Sequence, residues 1–169
     1  RIIYIAQKDE QLLVVNNGTA GKGYKSIGDS TLVISPDGKR AAYAAQQDNK
    51  WMLVIDGKEE PLYDTIGGAP VFSPDSRHIA YAAQKNGKWV AIIDGQIGPE
   101  YDGIGVLTYS ADNTQTAYIG MKGEKFSIIL NGKASQEFDG YGGMIFSPDG
   151  KHFAYSVMKK DNSGNDKWF

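Results

Sequence analysis

A unit of about 37 residues recurs along the chain, and its fixed internal spacing limits the possible folds more than any other feature. Each copy carries a serine in a turn-like tetrapeptide, and a tyrosine follows that serine eight residues later. The serines are Ser35, Ser73, Ser110 and Ser147, and the tyrosines are Tyr43, Tyr81, Tyr118 and Tyr155. A constant period of this length indicates stacked supersecondary units rather than one globular core.

The second full copy divides into four short strands separated by turn signals. Residues 69–73, 78–84 and 89–93 form the first three strands, and residues 98–102 form a weaker, polar fourth strand. Pro74-Asp75 predicts a tight turn after the first strand, and Asn86-Gly87 predicts a hairpin between the second and third. The second and third strands are apolar on both faces, so both faces of the sheet must be covered.

A narrow sheet that is buried on both faces in every repeat predicts the blade of a β-propeller. The expected fold is therefore all-β, with four-stranded antiparallel blades. A β-solenoid is the competing architecture, but the hairpin turns favour antiparallel meanders over parallel coils. In the propeller, Tyr81, Ala82, Ile92 and Ile93 should be buried between blades, and the other repeat tyrosines should lie in the core.

The strand count gives about four and a half repeats. The chain enters in a second strand at residues 2–7 and leaves in a third strand at residues 167–169. A closed four-bladed ring would leave residues 151–169 without a place, and an open arc would have unpaired strand edges. We therefore expect residues 1–169 to be one stretch of propeller repeats, either part of a ring of about six to eight blades or self-associating through open blade edges.

The tetrapeptide Ser-Pro-Asp-Gly, followed by Lys-Arg-Ala-Ala-Tyr at 39–43 or Lys-His-Phe-Ala-Tyr at 151–155, resembles the bacterial WD-like β-propeller repeat. That repeat is also found in the TolB propeller domain and in propellers attached to prolyl oligopeptidase-type enzymes. The third copy departs from the pattern, with Ala111 and Asn113 in place of proline and glycine. The resemblance implies a scaffold for proteins, peptides or small ligands, often periplasmic or extracellular, without fixed catalytic residues.

Composition argues against several classes of partner. The net charge is −2 with acids and bases dispersed, so no basic surface for nucleic acid is predicted. No apolar run approaches the roughly 20 residues of a membrane-spanning helix, so no membrane insertion is expected. The chain has no cysteine, which excludes disulfide and thiolate chemistry and leaves the compartment open.

The sequence offers no convincing catalytic, metal or cofactor site. His78 and His152 share one repeat position with Arg40 and Gln115, which is typical of a solvated strand end. One aspartate recurs in the tetrapeptide of each repeat, but single carboxylates on separate blades are too far apart to share a cation. Capping of the turn backbone is the favoured interpretation of these aspartates. We therefore expect no enzymatic activity from this chain.

Large aromatic side chains open the third strands, at Trp51, Trp89, Phe126 and Trp168. They could form a stacking platform for a sugar or a peptide. Packing between blades is the favoured interpretation, since the first copy has Leu12 at this position.

The predicted function is a non-catalytic scaffold that presents loops to a protein or peptide partner. The alternatives are an accessory propeller of a larger hydrolase and a structural array in a bacterial cell-surface protein. In an antiparallel four-stranded blade, the loops between second and third strands emerge at the same face as the blade-connecting segments, predicted at 27–29, 66–68, 104–105 and 141–143. Candidate ligand residues on that face are Asp29, Gln46, Gln84, Lys88, Lys122, Tyr141 and Lys159. Residues 159–166 form a loop five residues longer than its counterparts, and such irregular loops often carry specificity.

Overall fold

The computed structural model describes residues 2–161 and 163–169, so Arg1 and Asn162, the latter within the predicted long loop, lie outside the described residues. The described part contains nineteen strands and no helix. The strands are β1 (Ile3–Lys8), β2 (Gln11–Asn16), β3 (Thr19–Tyr24), β4 (Ser26–Ile27), β5 (Val33–Ile34), β6 (Ala41–Gln47), β7 (Lys50–Ile55), β8 (Lys58–Glu59), β9 (Thr65–Phe72), β10 (Ile79–Lys85), β11 (Lys88–Ile93), β12 (Gln96–Ile97), β13 (Gly103–Tyr109), β14 (Thr116–Lys122), β15 (Lys125–Leu130), β16 (Lys133–Ala134), β17 (Gly140–Phe146), β18 (Phe153–Lys160) and β19 (Asp166–Trp168).

These strands form five consecutive antiparallel sheets, which are the blades of a partial β-propeller. Blade 1 contains β1 to β3, blade 2 contains β4 to β8, blade 3 contains β9 to β12, blade 4 contains β13 to β16, and blade 5 contains β17 to β19. Blades 2, 3 and 4 have all four strand positions. Within the described residues, blade 1 has the second to fourth positions and blade 5 the first to third. The predicted all-β fold and its antiparallel blades are confirmed.

The first strands of blades 2 to 5 are more irregular than predicted, and those of blades 3 to 5 are also longer. β9 begins at Thr65, so the segments 66–68, 104–105 and 141–143 lie within strands, as does Ile27, although all were predicted to be connecting loops. The pairing register shifts in β9, β13 and β17, and in blade 2 the first strand divides into β4 and β5, which both pair with β6. Glycine weakens strand signals and is common at bulges, which explains why the sequence suggested loops here.

The fourth strands are short and incomplete. β8, β12 and β16 each contain two residues. A single bridge between two aromatic residues then rejoins each fourth strand to its third strand. These bridges join Trp51 to Tyr63, Trp89 to Tyr101 and Phe126 to Phe138.

The core lies between neighbouring blades. Tyr81, Ala82 and Ile92 are buried as predicted, whereas Ile93 is only half-buried because it ends β11 beside an exposed hairpin turn. Tyr155 departs further from the prediction, with 42% of its surface exposed. Among the described residues, the third strand of blade 5 pairs with β18 as far as Val157, opposite Phe169, and not at Tyr155.

Candidate functional site

One end of the blade array is formed by the loops between second and third strands together with the blade-to-blade connections. Asp64, in the connection from blade 2 to blade 3, accepts a hydrogen bond from Lys50 Nζ of blade 2. Its other carboxylate oxygen accepts a hydrogen bond from the backbone N–H of Asn86 in blade 3, at 2.6 Å. These contacts place both loop sets at one end, which we call the connection face. The opposite end, the turn face, carries the Ser-Pro-Asp-Gly turns and the hairpins between third and fourth strands.

The same aspartate bridge recurs at the next two blade junctions. Asp102 accepts hydrogen bonds from Lys88 Nζ at 2.5 Å and from the backbone N–H of Gly123 at 2.7 Å. Asp139 accepts hydrogen bonds from Lys125 Nζ and from the backbone N–H in the following blade at residue 160. Each bridge therefore fixes the loop of one blade relative to the loop of its neighbour.

The bridging aspartates were not among the predicted site residues, although the sequence contains a signal for them. Each one directly follows the aromatic residue of a fourth strand, in the pairs Tyr63-Asp64, Tyr101-Asp102 and Phe138-Asp139. The partner lysines recur at the start of the third strands. An acid and a base that repeat in register on adjacent segments predict an ion pair in every copy.

The bridges keep the aspartates ionised. The Lys88 ammonium, and next the Gly123 N–H, lower the pKa of Asp102 below its usual value of 3.8. Asp64 and Asp139 have lowered pKa values for the same reasons, with their lysines contributing most. Hydrogen bonds to the charged form of a carboxylate favour that form.

Acid should weaken the fold through these carboxylates. A pKa lowered by folding contributes stability above the unfolded value of 3.8, and this contribution disappears as the pH falls through the folded value. We expect the urea concentration at the midpoint of unfolding to decrease as the pH is lowered below about 4. Asp102→Asn should make this decrease smaller. Asp48→Asn removes an exposed carboxylate without a hydrogen-bond partner among the described residues and should leave it unchanged. Equal acid sensitivity in all three proteins would contradict this role for the bridges.

Three of the predicted ligand residues are lysines that already contact the protein. Lys88 belongs to the bridge with Asp102. Lys122 Nζ lies 5.3 Å from the ring centroid of Tyr101, and Lys159 Nζ lies 5.4 Å from that of Phe138. Lys122 and Lys159 are thus held over aromatic rings at the junctions between blades, and Lys159 Nζ also donates to Gln136 Oε1 at 3.1 Å.

The other four predicted ligand residues lie in three different settings. Gln46 and Gln84 are half-buried near the ends of two second strands, at the same repeat position. Tyr141 lies in β17 with 37% of its surface exposed, and its ring meets Phe126 edge to face at 5.1 Å between centroids. Asp29 is exposed in the interruption between β4 and β5.

The aromatic residues that open the third strands pack locally. Trp89 is half-buried over the first strand of its own blade, so close that a Cβ atom at Gly67 would lie 2.5 Å from its Cζ3 atom. Phe126 instead contacts Tyr141 of the following blade. Trp168, in blade 5, is 59% exposed. The packing interpretation therefore holds for Trp89, although within a blade rather than between blades.

The turn face holds strand-end hydrogen bonds rather than a recognisable catalytic set. His78 Nδ1 lies 2.7 Å from Asp94 Oδ2, and Asp94 Oδ1 accepts the next backbone N–H. Arg40 and Asp56 make the same arrangement one blade earlier, with Nε to Oδ2 at 2.9 Å. His78 thus replaces an arginine in a repeated structural contact.

The tetrapeptide aspartates cap their own turns. Asp75 Oδ1 accepts hydrogen bonds from Ser73 Oγ at 2.6 Å and from the backbone N–H of Arg77 at 3.1 Å. The other three copies repeat both contacts. Among the described residues, no three potential metal-ligating side chains cluster together. That part of the chain also has no helix capable of crossing a membrane.

The solved structures similar to this chain include TolB and a domain described as a β-propeller. TolB from Acinetobacter baumannii has a TM-score of 0.52 and 19% identity, over 98% of this chain and 51% of that chain. The β-propeller domain of the Trilobed protease from Pyrococcus furiosus has a TM-score of 0.54 and 18% identity, over 84% and 52% of the two chains. No protein-family model and no curated protein matches the sequence.

The chain spans about half the length of these two structures. Identities below one fifth carry no information about a shared ligand or activity. Together with the five antiparallel sheets, the similarity shows that this chain has the β-propeller fold.

Proposed function

We propose that this chain is a non-catalytic propeller scaffold that binds a protein or peptide partner on its connection face. The observation that carries the proposal is the series of aspartate bridges at Asp64, Asp102 and Asp139, which fix the loops of neighbouring blades. A surface held in place before binding loses less conformational entropy when a partner docks. The likeness of the tetrapeptide repeats to the WD-like propeller repeat supports the same class of function.

The chemistry of the connection face suits a peptide. Tyr141 offers a partly exposed aromatic ring braced by Phe126, and Lys122 offers a cation positioned by the ring of Tyr101. Aromatic side chains dominate binding energies at protein interfaces because they bury a large area with little loss of rotamer freedom. Gly68, in the first strand of blade 3, is also exposed.

Selection of peptides from a random display library on the immobilised chain would test this proposal. We expect the selected peptides to compete for one site and to protect connection-face loops from hydrogen exchange. Tyr141→Ala and Lys122→Glu should each weaken their binding at least about 10-fold, or about 1.4 kcal/mol. Lys151→Glu, an equally exposed change on the turn face, should have little effect.

Two results would contradict the proposal. One is a peptide footprint confined to the Ser-Pro-Asp-Gly turns, which would place binding on the opposite face. The other is hydrolysis of esters, peptides or phosphates by the purified chain that disappears in His78→Ala. We expect no such turnover, because His78 replaces Arg40 in a repeated strand-end contact.

A further inference from the structure

A cleft of about 330 Å³ opens between blades 2 and 3 at the turn face, away from the connection face. Its apolar part is formed by Ile55, Ile79 and Tyr81. Its charged residues, which define what we call the charged cleft, are Arg40, Asp56, Lys58, Glu60, Arg77 and Asp94. Small-molecule sites are typically concave and mainly apolar, with a few convergent polar groups, and begin at about 300 Å³.

Tyr81 forms a closed part of the cleft wall. It is 3% exposed, and its hydroxyl oxygen is itself shielded from solvent. The ring of Tyr63 meets the ring of Tyr81 edge to face, with centroids 6.4 Å apart. Recognition of a ligand in this cleft therefore depends on the charged side chains and not on the Tyr81 hydroxyl.

Part of the charge in the cleft is already neutralised by internal contacts. Arg40 pairs with Asp56 at 2.9 Å, and its Nη1 donates to the backbone carbonyl of Arg77 at 2.7 Å. Asp94 contacts His78 at 2.7 Å. These groups are held in place and form the rigid part of the wall.

The remaining three charged side chains are available to a ligand. Within the described residues, Lys58 and Glu60 make no side-chain hydrogen bond or ion pair, and Arg77 makes only a 4.0 Å contact with Asp75. Glu60 is half-buried and lies near Tyr81, whose pKa is raised by burial first, then by Tyr63 and by the Glu60 charge. The half-buried Glu60 carboxylate thus shares the lining of this cleft with the cationic side chains of Lys58 and Arg77.

Comparison between repeats shows that the scaffold does not need these charges. The cleft between blades 1 and 2, of about 400 Å³, has the same position in the fold. At the repeat position of Lys58, the preceding blade has Thr19 and the following blade has Gln96. At the repeat position of Glu60, both of these blades have glycine, Gly21 and Gly98. Arg77 is likewise replaced by Lys39 and Thr114 in the two neighbouring repeats. Neither neighbouring repeat therefore carries the full set of charges.

We propose that the charged cleft binds a compact dipolar ligand of dipeptide size, which carries one ammonium and one carboxylate group. The ammonium would donate to the Glu60 carboxylate, and the carboxylate would bind Arg77 and Lys58. Charge-assisted hydrogen bonds of this type are stronger than neutral ones. The inference goes beyond the proposed peptide-binding function, because it concerns the opposite face and a small ligand.

Three small probes test the ligand class in an NMR titration of the ¹⁵N-labelled chain. Glycylglycine carries both charges, N-acetylglycine only the carboxylate and glycinamide only the ammonium. We expect glycylglycine to shift amide signals around Ile79 and Gly95 with a dissociation constant of about 10 mM or tighter, and each singly charged probe to bind at least about 10-fold more weakly. Equal binding of N-acetylglycine would show a simple anion site and would overturn the dipolar assignment.

Variants then test the residues. Glu60→Gln and Arg77→Gln should each weaken glycylglycine binding at least about 10-fold, with unfolding midpoints close to that of the parent. Lys39→Gln, the equivalent change at the preceding cleft, should leave binding unchanged. Absence of saturable binding, or binding that none of the cleft variants weakens, would refute the proposal.

Discussion

Replacement of Tyr81 by alanine should lower the free energy of unfolding by about 3–5 kcal/mol, the range found when large aromatic side chains are truncated in cores. Tyr81 is 3% exposed and packs in the cluster between blades 2 and 3, with Leu53, Tyr63 and Ile92 among its members. Truncation would leave a cavity that the rigid sheets on either side cannot close. Urea unfolding followed by tryptophan fluorescence would measure the loss.

The matched control is Tyr155→Ala, at the same repeat position in blade 5. This tyrosine is 42% exposed, so its loss should cost less than about 1 kcal/mol. The two variants remove the same atoms from equivalent strand positions and differ only in burial. Similar losses for both, or a loss below about 1 kcal/mol for Tyr81→Ala, would show that the assignment of strand faces is wrong.

The blade architecture could be predicted because its signals are local and repeated. The spacing from serine to tyrosine fixes the length of one unit, and the runs at 80–83 and 90–93 are apolar on both faces. Only a sheet covered on both sides accommodates such strands. The structure has second and third strands at these positions, β10 and β11.

The first strands could not be predicted in full because their sequence lacks a strand signal. Gly67 and Gly68 in β9, and Gly142 and Gly143 in β17, carry no side chain to indicate a buried face. Their positions depend on pairing with β10 and β18, which a single segment does not reveal. Tyr155 was misassigned for a related reason, since its burial depends on a strand partner and not on its own sequence.

The shared face of the two loop sets could be predicted from the order of the strands, but the contacts on that face could not. Contacts at Asp64 show that the two loop sets share one face, and Lys88 and Lys122 lie at blade junctions there. The role of Asp102 depends on two partners, one in its own blade and one in the next. Sequence periodicity shows that such residues recur but not that their side chains meet across a junction.

Gly67→Ala should destabilise the protein by about 1–3 kcal/mol, as is usual when an atom is forced into a packed region. A Cβ atom at Gly67 would lie 2.5 Å from Trp89 Cζ3, which is far inside the van der Waals contact distance. Gly105 has the same repeat position, opposite Ile119, but a Cβ there would meet only the Tyr141 hydroxyl oxygen at 3.9 Å. Gly105→Ala should therefore be neutral or slightly stabilising, because alanine restricts the unfolded chain more than glycine does.

A double-mutant cycle separates the Trp89 contact from a general intolerance of side chains in the first strand. Blade 4 has Phe126 where blade 3 has Trp89, so Trp89→Phe brings blade 3 closer to the arrangement in which Gly105 has room. If the indole ring causes the clash, Gly67→Ala should cost at least about 1 kcal/mol less in the Trp89→Phe background than in the parent, measured by urea unfolding. An equal cost in both backgrounds would instead place the constraint in the bulged backbone of β9, where the register shifts beside Gly67.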